Sequence, residues 1–416
     1  MKQYNYSLLE PAQVQTKQNL TVRTIENQAD FEDQVLDKLS GYQSTARELT
    51  ELILANLVMI GEIPAPTFSE DHRTLFLKRR FGEVGLQNCS TDEAGNVLGL
   101  LPGKEGKHNI LLVAHTDTVF SEKVDHTISV GPNEVVGPGV ADNSLGLAVI
   151  ASLPDILERL NIHFDSNLIL MGAARSLGRG NLEGLRFFLS NSEVPIHYGV
   201  CVEGAQLGRL SYSSVGMLRG EIISMVPEEH DWTMMSYTNA IITLNEVVNK
   251  IVQIPLPKRP RTSIVLGSIK GGHSFNTIAT TAVLQFEVRS ESEKTVREIS
   301  DRLEEIVAEV SAHSGIEVNM DVVATRRPGG IKFSHPMCKT SREIMKAMDI
   351  ETNIIPSISE LSALINKDIP AVTLGITNAE HIRQPNESIY IYPIYRGIAQ
   401  LIGILTAIDK GFCDED

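Results

Sequence analysis

The chain has 416 residues, with 37 Lys and Arg against 52 Asp and Glu, a formal net charge of −15. That acidic balance argues against nucleic acid or an anionic membrane surface as a partner, and the length allows two domains with cores of their own. No apolar stretch reads as a membrane span, the first residues lack the apolar core of a signal peptide, and four scattered cysteines (Cys89, Cys201, Cys338, Cys413) form no close pair; a cytoplasmic protein with reduced thiols is expected.

Residues 1 to about 45 are polar, weakly patterned and carry no functional signal. Ala46, Leu49, Ile53, Leu57 and Ile60 then recur at helical spacing until Pro64 and Pro66 stop the run. Ser69 is placed as the N-cap of a second helix ending near Gly82. Beyond Asn96 and Gly99, Leu111-Leu-Val-Ala runs into His115, with Asp117 two positions later. A short continuous apolar run of this kind predicts a buried strand of a parallel sheet, and such sheets hold ligands beyond the carboxyl ends of their strands. Asp117 can orient the His115 ring while the imidazole holds a metal.

Gly137-Pro-Gly-Val-Ala-Asp-Asn-Ser-Leu-Gly146 is a glycine-rich turn feeding a helix that contains Pro154. Asp142 stands where a dinucleotide-binding fingerprint needs its third glycine, which removes a nucleotide-dependent oxidoreductase from consideration. Leu168–Met171 predicts another buried strand leading into Arg175-Ser-Leu-Gly-Arg-Gly180, and Tyr198–Val202 a further one ending on Glu203-Gly204. Strands alternating with helices make this part an α/β layer structure.

From Leu218 the pattern changes. A strand over Glu221–Val226 precedes a helix with Ala240, Ile241, Leu244, Val247, Val248 and Ile251 on one face. Two strands, a helix carrying Val296, Ile299, Leu303, Ile306, Val307 and Val310, and a strand over Ile316–Val323 complete a β-α-β-β-α-β order. That order predicts a ferredoxin-like inserted domain over residues 218–326, splitting an α/β domain made of 1–217 and 327–416. The α/β pattern resumes after Pro328-Gly-Gly330, with the strand Ala371–Leu374 running to a loop that holds His381.

His115, Asp142, Glu203 and His381 each fall just past a predicted strand or in a strand-to-helix turn, a ligand mix that suits zinc. In these residues the chain resembles the co-catalytic zinc exopeptidase family of aminoacylases, acetylornithine and succinyl-diaminopimelate deacylases, glutamate carboxypeptidases and tripeptidases. His115-Thr-Asp117 matches its His-x-Asp, Gly139-Val-Ala-Asp-Asn143 its bridging-Asp turn, and Glu203-Gly204 its third acidic ligand. His381, with Glu387 nearby, matches the last ligand at a slightly longer spacing. The resemblance implies an α/β catalytic domain with an inserted lid and dimerisation domain, a homodimer, and two zinc ions. It also implies hydrolysis of small peptides or N-acyl amino acids, with Asn276 and Arg289 binding substrate. His230, in Pro227-Glu-Glu-His-Asp-Trp232, matches the lid histidine that polarises the scissile carbonyl.

One departure is chemically decisive. Where the family carries Glu-Glu, general base then metal ligand, this chain has Arg175-Ser176. A guanidinium is donor-only and always charged, and a neutral hydroxyl ligates zinc poorly. The sequence thus predicts one zinc ion or none, with hydrolysis lost or strongly impaired. An active hydrolase using one metal and another base is the alternative. Arg175 is expected to sit in the vacated metal position, relieving repulsion between Asp142 and Glu203.

Overall fold

A computed structural model describes residues 28–226 and 239–415. The first part of the chain supplies α1 (Leu39–Glu48), α2 (Thr50–Gly61), α3 (Asp71–Glu83), β1 (Gln87–Thr91), β2 (Val97–Leu101) and β3 (Asn109–His115). Next come α4 (Leu145–Arg159), β4 (Asn167–Ala173), α5 (Glu183–Asn191), β5 (Tyr198–Ala205) and β6 (Arg209–Ser211). A second unit follows as β7 (Gly216–Met225), α6 (Ala240–Ile251), β8 (Thr262–Gly271), β9 (Thr281–Ser290), α7 (Glu293–Ser314) and β10 (Glu317–Arg326). The chain returns through α8 (Pro336–Ala347), β11 (Asn353–Ile354), α9 (Glu360–Ile365), β12 (Ala371–Thr377) and α10 (Ile394–Asp409).

The eight-stranded sheet has the order β1-β2-β4-β3-β5-β12-β6-β11. Its centre, β4-β3-β5-β12, is parallel, with Leu112 beside Leu170 on one side and Val200 on the other. Because side chains alternate along a strand, β3 serves two cores. Ile110, Leu112 and Ala114 pack with α1, α2, α4, α8 and α10 on one face, while Leu111 and Val113 meet α5 and α9 on the other. The α/β layer architecture is therefore as the sequence predicts.

Local differences have local causes. The helical run over Ala46 to Ile60 is broken at Leu49, where the Thr50 hydroxyl bonds back to the Ala46 carbonyl. The following helix starts at Asp71 rather than after Ser69. One helical stretch, Val140–Arg159, is long and apolar enough by composition to cross a membrane, contrary to the sequence expectation. Its most apolar window is 89% buried against α2 and the sheet, so here it is a core helix.

The second unit is a four-stranded antiparallel sheet, β8-β9-β7-β10, backed by α6 and α7 in the β-α-β-β-α-β order. Its own core includes Ile222, Leu244, Val247, Phe286, Leu303 and Val310. Arg179 reaches across from the α/β part to Glu221 (2.6 Å) and Asp321 (3.5 Å), and Arg219 donates to the Gly178 carbonyl. These contacts set the inserted unit over the loop that follows β4.

Candidate metal centre and cavity

His115 ends β3 and is almost fully buried. Its Nδ1 lies 2.9 Å from the Asp117 carbonyl oxygen and 3.4 Å from Asp117 Oδ1, and its Nε2 lies 3.0 Å from Asp142 Oδ1. Burial alone would favour the neutral ring, but hydrogen bonds to Asp117 and Asp142 overcome it and raise the imidazole well above its ordinary value. Asp117 is in turn fixed by Thr67 Oγ1 and the Leu177 amide, each donating to Oδ2 at 2.8 Å. The ring is thus held at Nδ1 by the Asp117 main-chain carbonyl, with the carboxylate alongside.

Asp142 is positioned by two residues that contribute no ligand. Asn143 donates to the Val202 carbonyl at 2.8 Å and accepts from the Gly204 amide at 2.9 Å, stitching the turn to the end of β5. Fully buried Glu387 accepts from the Ala141 and Asp142 amides through Oε1 and from the Arg383 amide through Oε2. The close approach explains Gly204, where a Cβ would lie 2.5 Å from the Ala141 carbonyl oxygen.

Glu203 completes the cluster. One ligand atom each from His115, Asp142 and Glu203 lies within 4.8 Å of the other two, which fits a single cation of zinc's preferences. Burial pushes the Glu203 carboxyl up to about 7, against the pull of Arg209 and His115. Asp142 moves the other way. Burial opposes its ionisation, but His115 and Arg383 hold it well below the usual carboxylate range.

The two other expected ligand positions, Ser176 and His381, are placed differently. Ser176 lines the cavity with its hydroxyl buried and unpartnered, but offers no charge. His381 is exposed, with φ of 54°, and is not among the residues lining the cavity. The turn that Glu387 holds brings in Arg383 instead, whose Nε lies 2.9 Å from Asp142 Oδ2. The expectation for Arg175 is corrected as well. Its guanidinium pairs with Glu183 at 2.5 Å and lies over the Phe68 ring at 5.8 Å, while its amide donates to Glu70. Left-handed backbone at Arg175 (φ 54°) and the start of α5 at Glu183 place these two charges together, away from the metal ligands. A guanidinium does neutralise Asp142, but it belongs to Arg383.

His115, Asp142, Ser176, Glu203 and Arg383 border a cavity of about 540 Å³ between the two units. Arg289 lines it and pairs with Glu287, which also takes Arg219. Asn276 is exposed, bonded to Ser274, and does not reach the cavity. His230 lies outside the described residues. Arg383, Arg209, Arg326 and Glu360 also line the cavity and were not identified from sequence; as single charged residues they form no motif.

Residues 236–314 match the family model described as a peptidase dimerisation domain. No curated protein matches the chain by sequence. Among solved structures the chain is similar to a tripeptidase from Staphylococcus aureus, with TM-score 0.68 and 19% identity over 87% of this chain and 99% of that one. It is similar to the di-peptidase Dug1p from Saccharomyces cerevisiae, with TM-score 0.73 and 12% identity over 89% and 98%. A third similar structure is a dinuclear metal-binding peptidase of the M20 family from Bacillus subtilis, with TM-score 0.61 and 12% identity over 88% and 99%. The chain therefore has the fold of the M20 metallopeptidases, an α/β catalytic-type domain carrying a peptidase dimerisation domain.

Proposed function

We propose that this protein keeps the metallopeptidase body as a binding protein for small peptide-like carboxylates, holds at most one zinc ion, and has lost efficient hydrolysis. The observation that carries the reading is Arg383, whose Nε lies 2.9 Å from Asp142 Oδ2 and sets a guanidinium on a carboxylate of the metal cluster. Arg175 and Ser176 offer neither a base nor a second anionic ligand, and loss of a positioned base alone costs about 10²–10⁴ in rate. The test joins elemental analysis of zinc to hydrolysis of a panel of dipeptides and N-acyl amino acids. At most one zinc per chain with no turnover is expected; two zinc ions with turnover overturn it.

A second reading, a hydrolase using one ion, is favoured by the convergence of His115, Asp142 and Glu203. An ion held there would act as a Lewis acid and lower the pKa of a bound water. It predicts zinc-dependent turnover that Glu203→Gln abolishes. The matched dimerisation domain supports a homodimer. The absence of disulfides among all four cysteines supports a cytoplasmic location.

A further inference from the structure

Most charges around the cavity already have partners. Asp142 is held by His115 and Arg383, and Glu287 by Arg219 and Arg289. Arg209 bonds Ser211 through Nε, and Glu203 is pushed toward neutrality. Besides Glu203, two buried side chains of opposite charge line the cavity with no side-chain hydrogen bond or ion pair among the described residues. Arg326, at the end of β10, is 9% exposed; its side chain makes no hydrogen bond or ion pair among the described residues, and its Nε is buried and unpartnered. Glu360, the first residue of α9, is 2% exposed; its side chain likewise makes neither, and its Oε1 is buried and unpartnered. Glu360 is among the charges that act on Arg326, yet the two do not approach within the 4.0 Å of an ion pair.

Burial lowers Arg326 only to about 10, so it stays charged at neutral pH, and the neighbouring Arg219 and Arg186 sharpen its need for an anion. Buried ionic groups without partners are costly, and both of these side chains border the same cavity as the metal-ligand cluster. We propose that Glu360 and Arg326 together form a docking point for a small molecule bearing both a free amine and a free carboxylate, the ammonium on Glu360 and the carboxylate on Arg326. This deepens the binding reading above, on which it rests for the use of the cavity. It selects unblocked amino acids and short peptides over N-acyl amino acids, because acylation removes the charge that Glu360 would take.

The test is calorimetric titration of the full-length, chelator-treated protein with alanyl-alanine, its N-acetyl form and its C-terminal amide. The unblocked dipeptide should bind, and each blocked form should bind at least about tenfold more weakly, since a site built for a polar group rejects the analogue lacking it. Glu360→Gln should erase only the preference over the N-acetyl form, and Arg326→Gln only the preference over the amide. The wild-type comparison needs no variant and stands if a variant fails to fold. Equal or tighter binding of the N-acetyl form overturns the proposal, as does binding of none of the three at millimolar concentration. Zinc loading with turnover would remove the non-hydrolytic reading yet leave this selectivity standing, so the two fail separately.

Discussion

Arg383 Nε lies 2.9 Å from Asp142 Oδ2, on the carboxylate whose other oxygen faces His115 Nε2 at 3.0 Å. A guanidinium there competes with a cation in two ways, by occupying a ligand oxygen and by repelling positive charge. Arg383→Ala should therefore raise zinc affinity at the His115, Asp142 and Glu203 cluster by about tenfold or more. The Arg383 side chain is 62% exposed, so solvent screens the pair and stability should change by no more than about 1 kcal/mol. Competition against a chromophoric chelator measures the affinity, and an unchanged value would detach Arg383 from control of the site.

Arg175 gives a contrasting case. Paired with Glu183 at 33% and 48% side-chain exposure, it is a screened surface cation rather than a stand-in for metal. Arg175→Ala should shift a denaturant melt of the chelator-treated protein by about 1 kcal/mol or less. A loss of about 3–5 kcal/mol would instead mark it as the partner of a buried charge.

Restoring the family's two glutamates alone should not rebuild a dinuclear centre. Arg175→Glu with Ser176→Glu leaves Arg383 on Asp142 and His381 exposed. Elemental analysis of the double variant should find at most one zinc per chain, and adding Arg383→Ala should raise that number. Two ions in the double variant would mean that Arg383 yields readily to metal.

The layers and the inserted unit were legible because hydrophobic period reports burial directly. Leu111 to Ala114 read as a buried strand and are one, and the apolar stripes on α6 and α7 face the inserted core except for Ile241, which sits on the outer side of α6. His115, Asp142 and Glu203 were legible because strand ends converge by topology. Arg383 was not. Its place depends on a turn held by Glu387 through three main-chain amides, and no periodicity encodes a hydrogen bond between residues over two hundred positions apart. His381 and Arg383 sit two apart in one loop, and that turn brings only Arg383 onto Asp142.

Glu203 supplies a pH signature. Its folded value of about 7 lies above the ordinary 4.5, so folding favours the protonated acid. Stability is therefore greatest below about pH 4.5, where both states are protonated, and falls as pH rises through 7, where the folded carboxyl must ionise in a buried site. The lowered acids Asp117 and Asp142 lose their contributions only at more acidic pH, and the raised His115 loses its own as pH climbs from its ordinary value through its folded one, in both proteins alike. Between pH 5 and 7 the chelator-treated protein should lose on the order of 2–3 kcal/mol that Glu203→Gln does not lose. Matching slopes for the two proteins would show that Glu203 is not the group responsible.

The inserted sheet also predicts how two copies meet. Among the described residues, strand β8 lies at its edge and pairs only with β9, leaving one row of main-chain donors and acceptors open there. Val265 and Ile269 on this strand are 46% and 58% exposed. Beside them, at the start of α6, Ile241 and Ile242 are 42% and 58% exposed, and a Cβ on Gly271 would lie 3.0 Å from Ile241 Cγ1. An open edge flanked by four large apolar side chains is a surface suited to burial against a second copy, and the matched dimerisation domain includes it. Light scattering should give a dimer for the wild type and a monomer for Ile269→Asp with Ile242→Asp. Both side chains are exposed in the single chain, so the variant should keep its circular dichroism spectrum. A variant that remains dimeric would move the interface elsewhere.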